Sequence, residues 1–103
     1  MKKKNKNNNK VHLMLFWAGW CSGCTEMKPL FYDEAKKYGI KYDLIDVEDE
    51  TGVNLSVKYE VRNVPTILVF KGNKLIGREC GNSSYQCIHK YVTKKEQTPK
   101  QAK

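Results

Sequence analysis

The stretch VHLMLFWAGWCSGC, residues 11–24, decides how the rest of the sequence is interpreted. Residues 11–17 are almost continuously apolar, which is typical of a β-strand covered on both faces. Residues 18–20 make a short turn, and a helical pattern begins at Ser22. Cys21 and Cys24 therefore lie at the point where a buried strand leads into a helix.

The pattern after Cys21 predicts a helix over about Ser22–Tyr38. Apolar residues recur in it at spacings of three and four, and we expect these to face the core: Met27, Leu30, Phe31 and Ala35. Pro29 lies inside the helix and is expected to kink it, because its ring removes one backbone hydrogen bond. Gly39 is the predicted end of the helix.

More strands and helices follow this first pair. The predicted strands are Lys41–Val47, Thr66–Lys71 and Lys74–Cys80, the last two joined as a hairpin at Gly72-Asn73. The predicted helices are about Gly52–Tyr59, which is expected to bury Val53, Leu55 or Val57, and Tyr59, and about Ser84–Lys95. The order β-α-β-α-β-β-α predicts an α/β domain with a four-stranded mixed sheet and helices on both faces.

The positive charge lies mostly at the two ends of the chain. The 103 residues carry a formal charge of +8, of which residues 1–10 contribute five lysines and no acid. Residues 96–103 add a net +1, which leaves +2 for residues 11–95. We expect both ends to be disordered tails, because they bury little apolar surface, and residues 11–95 to form one domain. A nucleic-acid-binding face is not indicated.

Several classes of protein are excluded by the composition. No apolar run reaches the ~18 residues needed to span a bilayer, and four cysteines are too few for a disulfide-stapled scaffold. The basic start followed by apolar residues 11–19 imitates a secretory signal, but no small-residue cleavage site follows it. We therefore expect a cytoplasmic protein with mostly reduced cysteines, in which a close Cys pair is catalytic or metal-binding more often than structural.

The chemistry of the close Cys pair follows from its position. The first turn of a helix presents unpaired N–H groups and the positive end of the helix dipole, which stabilise a thiolate at Cys21. Cys21 is the candidate nucleophile of thiol–disulfide exchange, and Cys24, deeper in the helix, is the candidate resolving thiol. A zinc site completed by Cys80 and Cys87 is an alternative, although six residues between that pair is not a usual ligand spacing.

Separated pieces of this sequence resemble the thioredoxin family. They are FWAGWCSGC (residues 16–24) with Met27 and Pro29, KYEVRNVPT (residues 58–66), and FKG (residues 70–72) with Gly81. The first is similar to the family's active-site strand and helix, the second to the segment that ends in its cis-proline, and the third to its closing hairpin. The resemblance covers about residues 11–95.

The resemblance implies a thioredoxin-like fold and a disulfide reductase with Cys21 and Cys24 as catalytic residues. The implied substrate-binding residues are Trp20, Ser22, Gly23, Val64, Pro65 and Gly81. Val64–Pro65 is expected to be a cis peptide facing Cys21, which exposes the Val64 backbone to an extended substrate. The implied partners are disulfide-containing proteins and an NADPH-dependent thioredoxin reductase. We expect a monomer, with no metal and no cofactor of its own.

The sequence departs from the family's pattern around the cysteines. The family's fold begins with a strand and a helix, whereas only residues 1–10 precede the active-site strand here, so we expect four strands. Leu15 occupies the position of a buried Asp, and Leu44 aligns with its Lys partner. Cys24 therefore needs another base, or water, for its deprotonation.

Two further departures concern the residues between and beyond the catalytic pair. Ser22-Gly23 and Thr25 replace the family's Gly-Pro and basic residue, which predicts a potential less reducing than the ~−270 mV of thioredoxin. Cys80 and Cys87 are additional. They are open to three interpretations: a second disulfide, a regulatory thiol pair, or two inert buried thiols.

Other titratable residues are interpreted structurally. His12 and His89 are expected to be surface or packing residues, and Asp46, Glu48, Asp49 and Glu50 to form a solvated acidic loop. Two alternative functions remain open beside the reductase. One is a thioredoxin-fold binding module with a vestigial Cys pair, and the other is an exported relative that oxidises disulfides.

Overall fold

The computed structural model describes residues 11–92 of the chain. Its elements are β1 Val11–Trp17, α1 Ser22–Tyr38, β2 Lys41–Asp46, α2 Glu50–Lys58, β3 Thr66–Lys71, β4 Lys74–Cys80 and a 3₁₀ turn at Ser84–Cys87. Residues 89–92 are again α-helical. The predicted tails and the last residues of the predicted final helix, residues 93–95, lie outside the described residues.

The four strands form one mixed sheet in the order β2-β1-β3-β4. β1 is parallel to β2 and antiparallel to β3, and β3 is antiparallel to β4. The connection between the two parallel strands is α1, because parallel neighbours need a long crossover. The predicted α/β class and four-stranded mixed sheet are confirmed.

Helices cover both faces of this sheet because side chains alternate along β1. Leu13 and Leu15 point to one face, where they pack with Met27 and Phe31 of α1. Phe16 points to the other face, into the cluster beneath α2. The nearly continuous apolar run of β1 is therefore buried from both sides.

The predicted burial of Leu30 and of α2 is wrong in part. Leu30 is 43% exposed, while Val53 and Val57 are 48% and 74% exposed. Leu55 and Tyr59 alone among the predicted residues of α2 pack against the core. A nine-residue helix lying on a sheet buries one narrow stripe, so apolar spacing alone did not say which side chains belong to it.

The ends of α2 and the final helix also differ from the sequence prediction. α2 begins at Glu50, since the Asp49 carboxylate caps it by accepting the Gly52 N–H (2.7 Å). The final helix begins as a 3₁₀ turn, where the Ser84 hydroxyl donates to the Gly81 carbonyl (2.7 Å). Within residues 11–92, no helix has the length and apolar character that a membrane span requires.

Candidate active site

Cys21 is the N-cap of α1, and Cys24 lies in its first turn. The Cys21 backbone is extended (φ −94°, ψ 103°), and its Sγ accepts the backbone N–H of Cys24 at 3.1 Å. The same N–H also donates to the Cys21 carbonyl at 3.1 Å, in the tight first turn of the helix. A sulfur at this position is therefore held against the positive end of the helix dipole, which favours its anionic form.

Cys21 and Cys24 are joined by a disulfide, with their Cα atoms 5.3 Å apart. Cys24 is fully buried, whereas Cys21 is partly exposed. A substrate in solution therefore reaches the sulfur of Cys21 first.

Pro65 and Gly81 are held together at the ends of β3 and β4. Val64–Pro65 is a cis peptide, as the resemblance leads one to expect. The Gly81 N–H donates to the Pro65 carbonyl at 3.0 Å. Gly81 has a φ of +99°, a conformation that residues with a Cβ rarely adopt. The loop before β3, with Val64 and Pro65, is thus connected to Gly81 in the loop after β4. We call these connected loops the rim.

Asn82 links this rim to the active-site turn, and the sequence analysis did not single it out. A Cβ on Gly23 would overlap the side-chain amide of Asn82. Gly23 therefore lets the Asn82 side chain lie directly against the residues between the cysteines. The available signal was the adjacent Gly81, but nothing in the sequence indicated that its neighbour contacts Gly23.

Trp20 is 68% exposed, and its indole N–H donates to the carboxylate of Glu48. Glu48 was predicted to belong to a solvated acidic loop, and that interpretation is incomplete. Asp49 caps α2, the Asp46 carboxylate accepts the Glu48 N–H (2.9 Å), and Glu48 anchors Trp20. The acidic residues of this loop thus include ordered side chains with specific partners.

A groove of about 470 Å³ opens beside Trp20. Its lining is mostly apolar: Trp20, Val47, Val53, Ser56, Val57, Val61, Arg62, Asn63 and Val64. Trp20 and Val64 belong to the predicted substrate-binding residues, while the valines of α2 were expected in the core. Val53 and Val57 instead line the wall of this groove. The prediction that valines of α2 are buried in the core is wrong for this reason.

The two remaining cysteines lie on opposite faces of β4. Cys80 is on the α2 side, where its Sγ is 3.7 Å from the hydroxyl of Thr66. Cys87 is on the other side, where its thiol bonds the carboxylate of Glu79. Both are free, and Cys80 is exposed. A Cys80–Cys87 disulfide is therefore wrong, and so is the interpretation of Cys80 as a buried thiol. The interpretation as a regulatory thiol pair stays a prediction.

This separation also removes the zinc alternative. A tetrahedral site needs its ligands within about 2.3 Å of one ion, which thiols on two faces of a sheet cannot provide. Across residues 11–92, no three His, Cys, Asp or Glu side chains are grouped so that they can hold a metal ion.

The environment of Cys87 is dominated by Glu79. Burial and the hydrogen bond to Glu79 raise the pKa of the Cys87 thiol. Burial and the hydrogen bond to the same carboxylate raise the pKa of Tyr91 to about 12. Burial alone raises the pKa of Glu79, but hydrogen bonds from Tyr91, Lys90 and Cys87 outweigh it, and the net pKa is lowered. This cluster fastens the end of the described chain to β4.

No histidine takes part in the cysteine site. His12 Nε2 lies 2.9 Å from a carboxylate oxygen of Asp43, at the far end of β1 from Cys21. The ring of His89 bonds the Gln86 carbonyl at 2.7 Å. Both were predicted to be surface or packing residues, which this geometry supports.

Leu15 and Leu44 are direct partners across β1 and β2. Leu15 is completely buried, and Leu44 is 38% exposed at the edge of the sheet. No carboxylate therefore stands at position 15, which the resemblance associates with proton transfer from Cys24.

Comparison with known proteins agrees with this geometry. The sequence model of the family Thioredoxin matches residues 2–94. The chain is 34% identical to a thioredoxin of Buchnera aphidicola over 74 residues, 72% of this chain and 68% of that protein. It is 31% identical to a thioredoxin of Staphylococcus aureus over 77 residues, 75% of this chain and 74% of that protein. A reduced Schistosoma mansoni thioredoxin superposes with a TM-score of 0.73 at 25% identity, over 90% of this chain and 86% of that one.

Proposed function

The chain belongs to the thioredoxin family and is a thiol–disulfide oxidoreductase, and we propose that it works as a reductase of protein disulfides. Members of this family act on disulfide substrates and are themselves reduced by a reductase. The observation that carries the proposal is the placement of two sulfurs at one helix N-terminus. Cys21 is partly exposed and its Sγ accepts the Cys24 N–H, whereas Cys24 is fully buried.

We assign the two steps of the exchange to different cysteines. The Cys21 thiolate attacks one sulfur of the substrate disulfide, so a mixed disulfide forms and the other substrate sulfur leaves as a thiolate. The Cys24 thiolate then attacks Cys21 Sγ, which releases the second substrate thiolate and forms the Cys21–Cys24 disulfide. Two electrons pass to the substrate, and protons from water complete its two thiols. Because Leu15 carries no acid–base group, Cys24 loses its proton to another base or to water.

We propose that the substrate polypeptide lies along the rim around Cys21. Trp20, Ser22, Gly23, Val64, Pro65 and Gly81 are the proposed binding residues. The apolar groove between Trp20 and Val64 supports this placement, since it offers contact area beside the reactive sulfur. An extended segment can add to the Val64 backbone as a short strand.

An NADPH-dependent thioredoxin reductase is the proposed electron donor, and the cytoplasm the proposed compartment. The reductase must return two electrons to the Cys21–Cys24 disulfide after each turnover. One chain supplies every residue of the proposed site, so we take a single chain as the catalytic unit. No nucleic acid and no membrane takes part in this proposal.

Reduction of insulin disulfides with dithiothreitol as donor tests this function. We expect the protein to accelerate the reaction and Cys21→Ser to abolish the acceleration. Cys80→Ser is the matched control, because it removes a free, exposed thiol outside the pair and should leave the rate unchanged. If neither the protein nor Cys21→Ser changes the uncatalysed rate, the pair is vestigial and the chain is a binding module.

A redox titration of the Cys21–Cys24 couple decides the direction of electron flow. We expect a potential somewhat above the ~−270 mV of thioredoxin, because Ser22-Gly23 replaces the family's Gly-Pro. A value near the ~−120 mV of strongly oxidising relatives would instead assign the chain to disulfide formation.

A further inference from the structure

The turn that ends α2 carries backbone strain at Glu60. Glu60 directly follows Tyr59, the C-cap of α2. Its φ of +56° lies in the left-handed region, which a residue with a Cβ adopts at a cost in free energy. Such a residue keeps this conformation only where the surrounding groups hold it. The groups around Glu60 therefore set the direction in which the chain leaves α2 for the loop before β3.

The N–H groups of this turn bond the helix that precedes it. The Glu60 N–H donates to the Val57 carbonyl at 3.2 Å, and the Val61 N–H donates to the Ser56 carbonyl at 2.8 Å. These bonds close the last turn of α2. The carbonyls of Tyr59 and Glu60 lie beyond it, where no later N–H of the helix can reach them. They need donors from another part of the chain or from water.

Arg78 of β4 donates to both of these carbonyls. Its Nη2 lies 2.6 Å from the Tyr59 oxygen, and its Nη1 lies 3.4 Å from the Glu60 oxygen. Arg78 is opposite Leu68 of β3, which belongs to the cluster beneath α2, so both side chains are on that face of the sheet. The planar fork of a guanidinium suits two neighbouring acceptors, and its positive charge is favourable at the C-terminus of a helix.

The loop that follows this turn is part of the proposed substrate surface. Its residues 61–64 line the groove of about 470 Å³ beside Trp20. A second groove, of about 300 Å³, borders the same loop and is lined by Ser56, Val57, Glu60, Val61 and Arg62. The Thr66 hydroxyl donates to the Asn63 carbonyl at 2.6 Å and fixes the far end of the loop. Because open grooves replace part of its packing, the loop depends on such hydrogen bonds for its position.

We propose that Arg78 is a positioning residue for polypeptide substrates. By holding the carbonyls of Tyr59 and Glu60, it fixes the loop that presents Val64 and the groove wall. This inference rests on the proposed function, and it requires no contact between Arg78 and the substrate. A loop that is ordered before binding loses less conformational entropy when a polypeptide docks on it. Arg78 should therefore affect the binding of polypeptides and leave the exchange between sulfurs unchanged.

Single-turnover oxidation of the pre-reduced protein by two disulfides tests this inference. Insulin is a polypeptide that should contact the loop, whereas bis(2-hydroxyethyl) disulfide is too small to do so. Acid quenching, alkylation and peptide mapping report formation of the Cys21–Cys24 disulfide in both reactions. We expect Arg78→Met to raise the half-saturating insulin concentration about three- to fivefold at an unchanged maximal rate. The rate constant with the small disulfide should stay the same.

Two further variants are matched to this one. Arg78→Lys keeps the charge at the end of α2 but loses the fork, so the half-saturating insulin concentration should rise only about twofold. Lys74→Met removes another exposed cation from the same strand, and both reactions should keep their wild-type rates.

Amide hydrogen exchange supplies a measurement that needs no activity. In Arg78→Met, protection of the Val61 amide should fall about threefold or more relative to that of Leu13, because the turn then opens locally. Leu13 lies in β1, which is paired on both sides, and its amide reports the stability of the whole sheet. Comparison of the two amides separates a loosened turn from a general loss of stability.

Several results would overturn this inference. One is an unchanged half-saturating insulin concentration in Arg78→Met. Another is an equal loss of rate with both disulfides, which would place the effect at the sulfurs. Unchanged relative protection of Val61 would mean that the turn holds without the guanidinium. A wild-type protein that reduces neither disulfide would instead refute the proposed function, and this inference with it.

Discussion

The indole N–H of Trp20 donates a hydrogen bond to the carboxylate of Glu48. This contact joins the residue before Cys21 to the loop between β2 and α2, and it holds a 68% exposed ring beside the groove. A side chain that is ordered before binding loses less conformational entropy when a partner docks on it. We therefore expect Glu48 to act as a positioning residue for the proposed substrate surface.

Removal of this anchor should weaken substrate binding. We expect Glu48→Ala to raise KM for a protein disulfide about three- to tenfold with little change in kcat, because Trp20 must then be ordered during binding. Glu48→Gln keeps an acceptor oxygen and should recover most of the loss. Asp33→Ala, an exposed acid on α1, is the control in the same steady-state assay. A lower kcat at unchanged KM would contradict the positioning role.

The contact between Gly23 and Asn82 should limit substitution in the active-site turn. Gly23→Ala places a Cβ on the Asn82 amide, and we expect it to lower the free energy of unfolding by up to about 1 kcal/mol, because the exposed Asn82 side chain can move and Ala favours the helix. Asn82→Ala in the same chain should relieve most of that loss. Gly19→Ala is the control, because its Cβ meets no atom within 4 Å. Urea unfolding of the oxidised proteins measures these three variants and Asn82→Ala alone, and additive losses in the double variant would refute the contact.

An acid at position 15 should be costly in this core. Leu15 is completely buried, so we expect Leu15→Asp to lower the free energy of unfolding by about 3 kcal/mol or more at neutral pH. Burial raises the pKa of the introduced carboxyl above its unfolded value, so the loss should be smallest at acidic pH and grow as pH rises through the folded pKa.

Its sheet partner provides the comparison for this variant. Leu44 is 38% exposed, and Leu44→Asp should cost less than about 1 kcal/mol with little pH dependence. Urea unfolding at several pH values, at low protein concentration, distinguishes the two. Equal losses would mean that Leu15 is not sealed from water.

The free thiols should differ in reactivity. Cys80 is exposed, while burial and the hydrogen bond to Glu79 raise the pKa of the Cys87 thiol. Because the thiolate is the nucleophile, iodoacetamide should label Cys80 about tenfold faster or more in the oxidised native protein. Glu79→Gln should accelerate labelling of Cys87 and leave Cys80 unchanged. Mass mapping after labelling checks this, with the urea-unfolded protein as the reference in which both react alike.

The Tyr91–Glu79 hydrogen bond should contribute a pH-dependent part of the stability. The bond is 2.7 Å long, and we expect Tyr91→Phe to lower the free energy of unfolding by about 1 kcal/mol at pH 7. The pKa of Glu79 is lowered in the fold, so its contribution is present above the unfolded pKa and is lost as pH falls through the folded one.

At the alkaline end, the contribution of Tyr91 to stability changes with pH in the direction opposite to that of Glu79. Burial and the hydrogen bond to Glu79 raise the pKa of Tyr91 to about 12 from its ordinary value of 10.0. The stability due to the neutral phenol is present below about pH 10 and is lost as pH rises toward 12. Denaturation curves of both proteins from acidic to alkaline pH should therefore converge at the extremes and differ most near neutrality.

The elements that the sequence located well are those with local signals. The bounds of β1, α1, β3 and β4 agree with the prediction, because an apolar run, a capping residue and the turn at Gly72 act within a few residues. The predicted start of α2 was two residues too far along the chain. Its capping residue, Asp49, lies among other acidic residues, and the sequence did not show which of them is the cap. Its exposed valines were assigned to the core because periodicity does not say how much of a short helix the sheet covers.

The sequence by itself determined the α/β order, the thioredoxin resemblance and the position of Cys21 and Cys24 at a strand-to-helix junction. These features depend on residue types and short spacings, which are present in the sequence before the chain folds. Tertiary structure alone decided that Cys80 and Cys87 lie on opposite faces of β4, that Glu48 anchors Trp20, and that Asn82 packs on Gly23. Each of these relationships joins segments that are distant in the sequence. The strand register and the packing of loops against the sheet bring those segments together.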